Sequence, residues 1–119
     1  MEELTLLHNP RCSKSRGALA AVTAAGEGVQ VVVYLKTPLD AAALADLLAI
    51  LDDPPSALVR RDPLFTEVGL TAADVQTAEQ VAVVLADHPA LMERPVLIRP
   101  GRAIIGRPAE RVTAFLSEA

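Results

Sequence analysis

Cys12 is the only cysteine in this chain. It stands in the segment His8-Asn9-Pro10-Arg11-Cys12-Ser13-Lys14-Ser15-Arg16, directly after a short apolar run. An apolar run stopped by Asn-Pro and followed by Ser reads as a strand that turns into a helix. A thiol at that junction meets converging backbone N–H groups and the positive end of the helix dipole. Both lower its pKa, and both attract anions. Arg11, Lys14 and Arg16 crowd the same segment, although the chain carries a formal net charge of −4. A local basic cluster set against an acidic whole marks the segment as a reactive, anion-facing site.

The cysteine count limits the chemistry further. One Cys excludes an internal disulfide, and with His8 and His88 as the only histidines it cannot close a conventional four-ligand zinc site. No bound metal or cofactor is therefore expected. If Cys12 does redox chemistry, its partner sulfur must come from another molecule.

The flanking elements decide how such a thiol is held. Leu4 to Leu7 reads as a strand and Lys14 to about Ala25 as a helix, capped by Ser13 or the thiol, with Leu19 and Val22 inward. Gly26 and Gly28 close it, glycine being the common C-terminal stop. Val29 to Leu35 is rich in β-branched residues and bounded by Thr37-Pro38, so it reads as a buried strand. A βαβ unit of this kind implies a parallel pair with a right-handed crossover.

The next stretch changes character. Asp40 caps a helix over 41–51 with Leu44, Leu47, Leu48 and Leu51 at helical spacing, and Asp52-Asp53-Pro54-Pro55 breaks it. Ser56 to Arg61 looks like a short helix. Thr71 to Asp74 and Thr77 to Gln80 each resemble a capping box, the second opening a helix through about Asp87 that buries Val81, Val84 and Leu85. Val96 to Ile98 and Ala103 to Ile105 form a hairpin across Pro100-Gly101-Arg102. A last helix follows with Pro108 in its first turn and Val112, Phe115 and Leu116 inward. The chain thus reads as one α/β domain over 1–119 with a helical insertion at about 40–88. The order β-α-β, helical insertion, β-β-α matches a thioredoxin-like fold with a four-stranded mixed sheet.

Bulk composition adds exclusions. Of the 119 residues 51% are hydrophobic but only 3% aromatic, so the core must be built from Leu, Val, Ile and Ala. The acidic balance disfavours nucleic acid and anionic membrane as partners, and no run reaches the ~18 apolar residues of a bilayer span. The acids at Glu2 and Glu3 stand where a signal peptide would carry Lys or Arg, so a cytoplasmic protein is expected. No surplus apolar strip remains once the core is assigned, which fits a monomer.

The residues also carry a resemblance. His8-Asn-Pro-x-Cys12-x-x-Ser15-Arg16, Tyr34-Leu-x-Thr37-Pro38, Arg60, His88-Pro89, Arg94-Pro95 and Arg107-Pro108 are ordered and spaced as in the glutaredoxin-coupled arsenate reductases, a thioredoxin-fold family with a helical insertion. Cys12-Ser-Lys-Ser-Arg16, Leu91-Met-Glu-Arg94-Pro95 and Ile105-Gly-Arg107-Pro108 look most like a short subgroup of it. The resemblance implies Cys12 as nucleophile, with Arg60, Arg94 and Arg107 cradling arsenate or a related oxyanion. It further implies His8 beside Cys12 helping to hold the thiolate, Ser15 hydrogen-bonding the sulfur, and a cis-proline at Pro95 facing the thiol. Glutathione or another low-molecular-weight thiol would be the co-substrate and glutaredoxin the external reductant.

Two other readings stand beside this one. Cys12-x-x-Ser15 has the spacing of a monothiol glutaredoxin motif, consistent with a general thiol transferase or deglutathionylating protein that would not need three spaced arginines. A non-enzymatic RNA polymerase-binding regulator shares the fold, but its redox switch requires Cys at position 15, where this chain has Ser.

Overall fold

The computed structural model describes residues 4–26 and 28–118. Strand β1 (Leu4–His8) leads into helix α1 (Ser13–Ala24), then β2 (Val29–Val33). Helices α2 (Ala41–Ile50), α3 (Pro63–Glu67) and α4 (Ala78–Asp87) follow, with single 3-10 turns at Pro55–Leu58, Ala72–Val75 and Pro89–Leu91. The hairpin of β3 (Val96–Arg99) and β4 (Arg102–Ile105) and helix α5 (Ala109–Ser117) complete the order. The four strands form one sheet in the order β2-β1-β3-β4. β1 runs parallel to β2, in register from Leu4 opposite Val29 to His8 opposite Val33. β3 is antiparallel to both β1 and β4. This is the thioredoxin-like fold.

Alternation along the strands divides the core between the two faces of the sheet. Leu4 and Leu6 of β1, Leu97 of β3 and Ile104 of β4 face one side. There they pack with Ala18 and Val22 of α1 and Val112 and Phe115 of α5. Leu7, Val96, Ala103 and Ile105 face the other side and meet Leu44, Leu47 and Leu48 of α2 and Val81, Ala82, Val84 and Leu85 of α4. Each fully buried Leu or Val contributes roughly 1.5–3 kcal/mol relative to exposure, so the helices between β2 and β3 are bound to the sheet by a second core.

Three expectations change in detail. Val29 to Leu35 is not a buried strand: β2 ends at Val33, and its pattern is half-buried to exposed, with Val31 40% exposed. The cause is position, because β2 is an outer strand with a partner on one side alone. The helix read at Ser56 to Arg61 is a 3-10 turn over Pro55–Leu58, and α3 begins beyond it, capped by Asp62, which accepts from the Phe65 N–H at 3.3 Å. Pro108 is the residue before α5 rather than a member of its first turn. Both capping boxes form as read, with Thr71 and Asp74, and Thr77 and Gln80, bonding reciprocally.

Two dipeptides fix the far end of the sheet. Pro100 presets the β3–β4 turn, and Gly101 takes the φ of +77° that its next position requires. Asp52-Asp53, which ends α2, buckles the insertion to β4 and α5. Asp52 N–H donates to Ala103 O at 2.8 Å, and Asp53 accepts from the Ile105 N–H at 3.0 Å. Asp53 also takes both Arg111 Nη atoms, at 2.7 and 3.3 Å. The segment between β4 and α5 is thereby pinned, and Gly106 and Arg107 lie in it.

Gly106 N–H donates to Pro95 O at 2.8 Å. A Cβ at Gly106 would meet Val112 Cγ2 at 2.9 Å and Pro95 Cγ at 3.0 Å. Neither neighbour yields easily, since Val is stiff at χ1 and proline is a ring. Gly106→Ala is expected to cost about 1–3 kcal/mol and to lower the thermal midpoint by roughly 4–12 °C, read by circular dichroism. An unchanged midpoint would contradict this packing.

Candidate active site around Cys12

Cys12 occupies the N-cap position of α1, with extended backbone (φ −99°, ψ 123°) and no side-chain capping bond. The turn before it is held locally: Cys12 N–H donates to Asn9 O at 3.0 Å and Arg11 N–H to Asn9 Oδ1 at 3.0 Å. Arg16 closes over the turn, donating from Nη1 to Pro10 O at 3.0 Å. Cys12, 9% exposed as a residue, has its sulfur at the mouth of the helix, where the first backbone N–H groups have no intrahelical partner.

The Cys12 thiol is pushed below its ordinary value against an opposing force. Burial is the largest single influence and raises the pKa, because it disfavours the charged thiolate. The backbone N–H groups of Ser15 and Lys14 and the guanidinium of Arg94 favour the thiolate, and together they prevail. Arg107 adds a direct contact, its Nη2 lying 3.4 Å from Cys12 Sγ.

His8 and Ser15 form a buried pair behind the sulfur. His8 Nδ1 and Ser15 Oγ are 2.7 Å apart, and Ser15 Oγ accepts from the Asn9 N–H at 2.9 Å. What Ser15 offers the sulfur is its backbone N–H; its hydroxyl is engaged by His8 and Asn9. The His8 pKa is lowered, first by burial and then by the Arg16 cation, with the Ser15 bond opposing. Burial and the Arg16 cation thus disfavour the imidazolium form of His8, and its Nδ1 contact with Ser15 Oγ ties it to the turn.

The arginines arrive from three parts of the chain. Arg94 precedes β3, and its peptide bond to Pro95 is cis; the Arg107–Pro108 bond after β4 is cis as well. Arg107 Nε donates to Arg94 O at 2.7 Å, so these two segments are tied directly. Arg60 is placed by a short antiparallel bridge between Val59 and Met92, flanked by Arg60 N–H to Leu91 O at 2.8 Å and Glu93 N–H to Leu58 O at 2.7 Å. The Arg94 Nε is buried without a hydrogen-bond partner among the described residues.

Three residues that the sequence reading gave no chemical role also belong here. Tyr34 is 1% exposed. Its pKa is raised chiefly by burial, partly offset by Arg94 and Asn9, while Cys12 and Arg60 act on it too. Asn9 organises the turn and faces the Tyr34 hydroxyl. Glu93 lies among the guanidiniums, with Oε1 3.5 Å from Arg107 Nε and 3.7 Å from Arg60 Nε. Tyr34 falls just beyond β2 and Glu93 beside Arg94, and no spacing rule ties either to Cys12. Lys14 and Arg11 side chains are exposed, and His88 caps the C-terminus of α4. Among the described residues no group of three His, Cys, Asp or Glu side chains gathers as a metal would require, and no helix is long and apolar enough to cross a membrane.

Comparisons with known proteins identify the family. The model of the ArsC family matches residues 7–115. The chain belongs to the ArsC family. It is 40% identical over 118 residues to an arsenate reductase of Neisseria meningitidis serogroup A, covering 98% of this chain and 100% of that one. It is equally close to YfgD of Escherichia coli K12, an uncharacterised protein, at 41% over 114 residues, 93% of this chain and 94% of YfgD. Among solved structures, an arsenate reductase from Vibrio cholerae superposes with a TM-score of 0.83 at 35% identity, covering 94% of this chain and 96% of that one.

The thiolate-favouring groups around Cys12 have a direct readout in alkylation by iodoacetamide as pH is varied. The native midpoint is expected below that of an ordinary thiol, and Arg94→Ala is expected to move it to higher pH by removing a cation that favours the thiolate. The ionised thiol also stabilises the fold at pH above the ordinary thiol range, and this contribution is lost as pH falls through the lower folded value. A midpoint unmoved by Arg94→Ala would detach Arg94 from the sulfur.

Proposed function

We propose that this ArsC-family protein is an arsenate reductase in which Cys12 is the nucleophile and Arg60, Arg94 and Arg107 hold the oxyanion. The observation that carries the proposal is a thiol favoured as thiolate that shares its surroundings with Arg107 Nη2 at 3.4 Å and with an unpartnered, buried Arg94 Nε. A thiolate alone suits many thiol exchanges. A thiolate among three guanidiniums suits attack on a tetrahedral oxyanion, because planar guanidinium forks match its oxygens and stay charged at any relevant pH. This favours arsenate reduction over general thiol transfer.

The proposed cycle is the one the family resemblance implies, and its electrons balance. Cys12 thiolate attacks arsenic, an As–O bond breaks, and the departing oxygen leaves as water after taking up protons. The S–As bond then holds pentavalent arsenic against the protein. A glutathione thiolate attacks Cys12 Sγ, and the S–As bond breaks with its electron pair passing to arsenic, which leaves as trivalent arsenite. Cys12 is left in a mixed disulfide with glutathione. A glutaredoxin thiolate attacks the glutathione sulfur of that disulfide and releases Cys12 as thiolate. The two electrons that reduce arsenic thus come from two thiols, and with one cysteine in the chain the second must be external. Guanidiniums aimed at the oxygens stabilise charge that builds during attack, typically the largest single contribution to such a step.

A cycle fed by glutathione and glutaredoxin would run where thiols are kept reduced, which supports the cytoplasm as its compartment.

An NADPH-coupled assay with glutathione, glutaredoxin and its reductase tests the proposal. Arsenate-dependent turnover is expected in the native protein, absent in Cys12→Ser, and reduced in kcat/KM by roughly 10²–10³ in Arg94→Ala. A native protein without arsenate-dependent turnover, but with a Cys12 that still forms a glutathione mixed disulfide rapidly, would sink the arsenate assignment and favour thiol transfer.

A further inference from the structure

Glu93 is the carboxylate that the cluster of guanidiniums does not explain. Its backbone N–H is fixed to Leu58 O at 2.7 Å, and its Oε1 accepts from the Arg94 N–H at 3.2 Å. The same oxygen stands 3.5 Å from Arg107 Nε and 3.7 Å from Arg60 Nε. Both arginines are met at their Nε atoms. Their Nη atoms remain free to turn elsewhere: Arg107 Nη2 toward Cys12 Sγ at 3.4 Å, and Arg60 Nη1 toward Asp62 at 3.5 Å. Arg94 is different, since its side chain makes no ion pair among the described residues and its buried Nε has no hydrogen-bond partner.

We propose that Glu93 sets the affinity of the site: it is a built-in counter-anion that weakens the hold of the arginine cluster on oxyanions in general. The inference rests on the reading of Arg60, Arg94 and Arg107 as an oxyanion site. Three unopposed guanidiniums would bind any tetrahedral anion strongly before reaction, whether or not it can be reduced. Such uniform binding occupies the site without accelerating chemistry. A carboxylate in contact with two of the three arginines lowers the affinity for every anion by a similar amount. Arg107 is turned toward the sulfur by the bond from its Nε to Arg94 O at 2.7 Å, and Glu93 adds its charge beside that Nε at 3.5 Å.

The test uses sulfate as the probe and the alkylation of Cys12 by iodoacetamide as the readout, so no turnover is involved. Sulfate bound beside Cys12 slows alkylation, and the concentration dependence gives an apparent dissociation constant. Glu93→Gln, close in shape and without charge, is expected to bind sulfate roughly three- to ten-fold more tightly, the scale of removing one unit charge at about 4 Å that water screens fully. Its alkylation profile is expected to move to lower pH, because Arg107 beside the sulfur is no longer partly neutralised. Glu93→Asp, which keeps the charge one methylene further back, is expected to restore the native sulfate affinity. Circular dichroism melting confirms that each variant is folded.

Sulfate constants that are equal, or unmeasurably weak, in native protein and Glu93→Gln would overturn the proposal. So would a Glu93→Asp variant that behaves like Glu93→Gln, because charge would then not be the agent. Failure of arsenate turnover leaves these sulfate measurements intact, and unchanged sulfate affinity leaves arsenate reduction intact.

Discussion

The whole site depends on one electrostatic balance at Cys12 Sγ. Cys12 is buried, which opposes ionisation of its thiol, and burial is the largest influence acting on it. The backbone N–H groups of Ser15 and Lys14 and the Arg94 guanidinium reverse that preference. Remove the opposing groups and the same burial would make Cys12 an inert core residue. The groups that hold a thiolate are also those that hold an oxyanion, so nucleophile activation and substrate binding draw on one set of donors.

That balance explains why the fold ties distant segments so tightly. Cys12 comes from the β1–α1 junction, Arg94 from the entry to β3, Arg107 from the β4–α5 segment and Arg60 from the insertion. The bond from Arg107 Nε to Arg94 O, the Val59–Met92 bridge and the Asp53 clamp on Ile105 and Arg111 are the fasteners. Each is a short polar contact between elements far apart in sequence. The two apolar cores on either face of the sheet supply the stability, and these contacts supply the register. A guanidinium displaced by an ångström loses both its hydrogen bond and much of its effect on the sulfur.

Much of this arrangement was legible in the residues. Cys12 announced itself through the Asn-Pro stop and the surrounding basic side chains, and the capping boxes at Thr71 and Thr77 were readable because their bonds are local. The sequence was silent where the deciding contact is long-range. The exposure of β2 follows from its place at the edge of the sheet, which a β-branched run does not reveal. Helix α3 is five residues long, too short for a periodic signal. Tyr34 was quoted in the resemblance without a role, yet it is buried and feels the charges of Arg94, Cys12 and Arg60. His8 read as a helper of the thiolate, and in the structure its Nδ1 meets Ser15 Oγ while burial and Arg16 disfavour its charged form. Glu93 lay inside the quoted Leu91-Met-Glu-Arg94-Pro95 stretch without a role, because its meaning lies in contacts with Arg60 and Arg107, far from it in sequence.

The central claim is that Cys12 joins thiol chemistry to oxyanion reduction in a single site. Its most direct test is a single turnover without glutaredoxin, with native protein, arsenate and glutathione mixed and the products analysed by arsenic speciation and intact-protein mass spectrometry. The account predicts one arsenite released per chain and one glutathione attached at Cys12, neither forming in the absence of arsenate. Glutathione attached to Cys12 at the same rate without arsenate, and no arsenite produced, would contradict it.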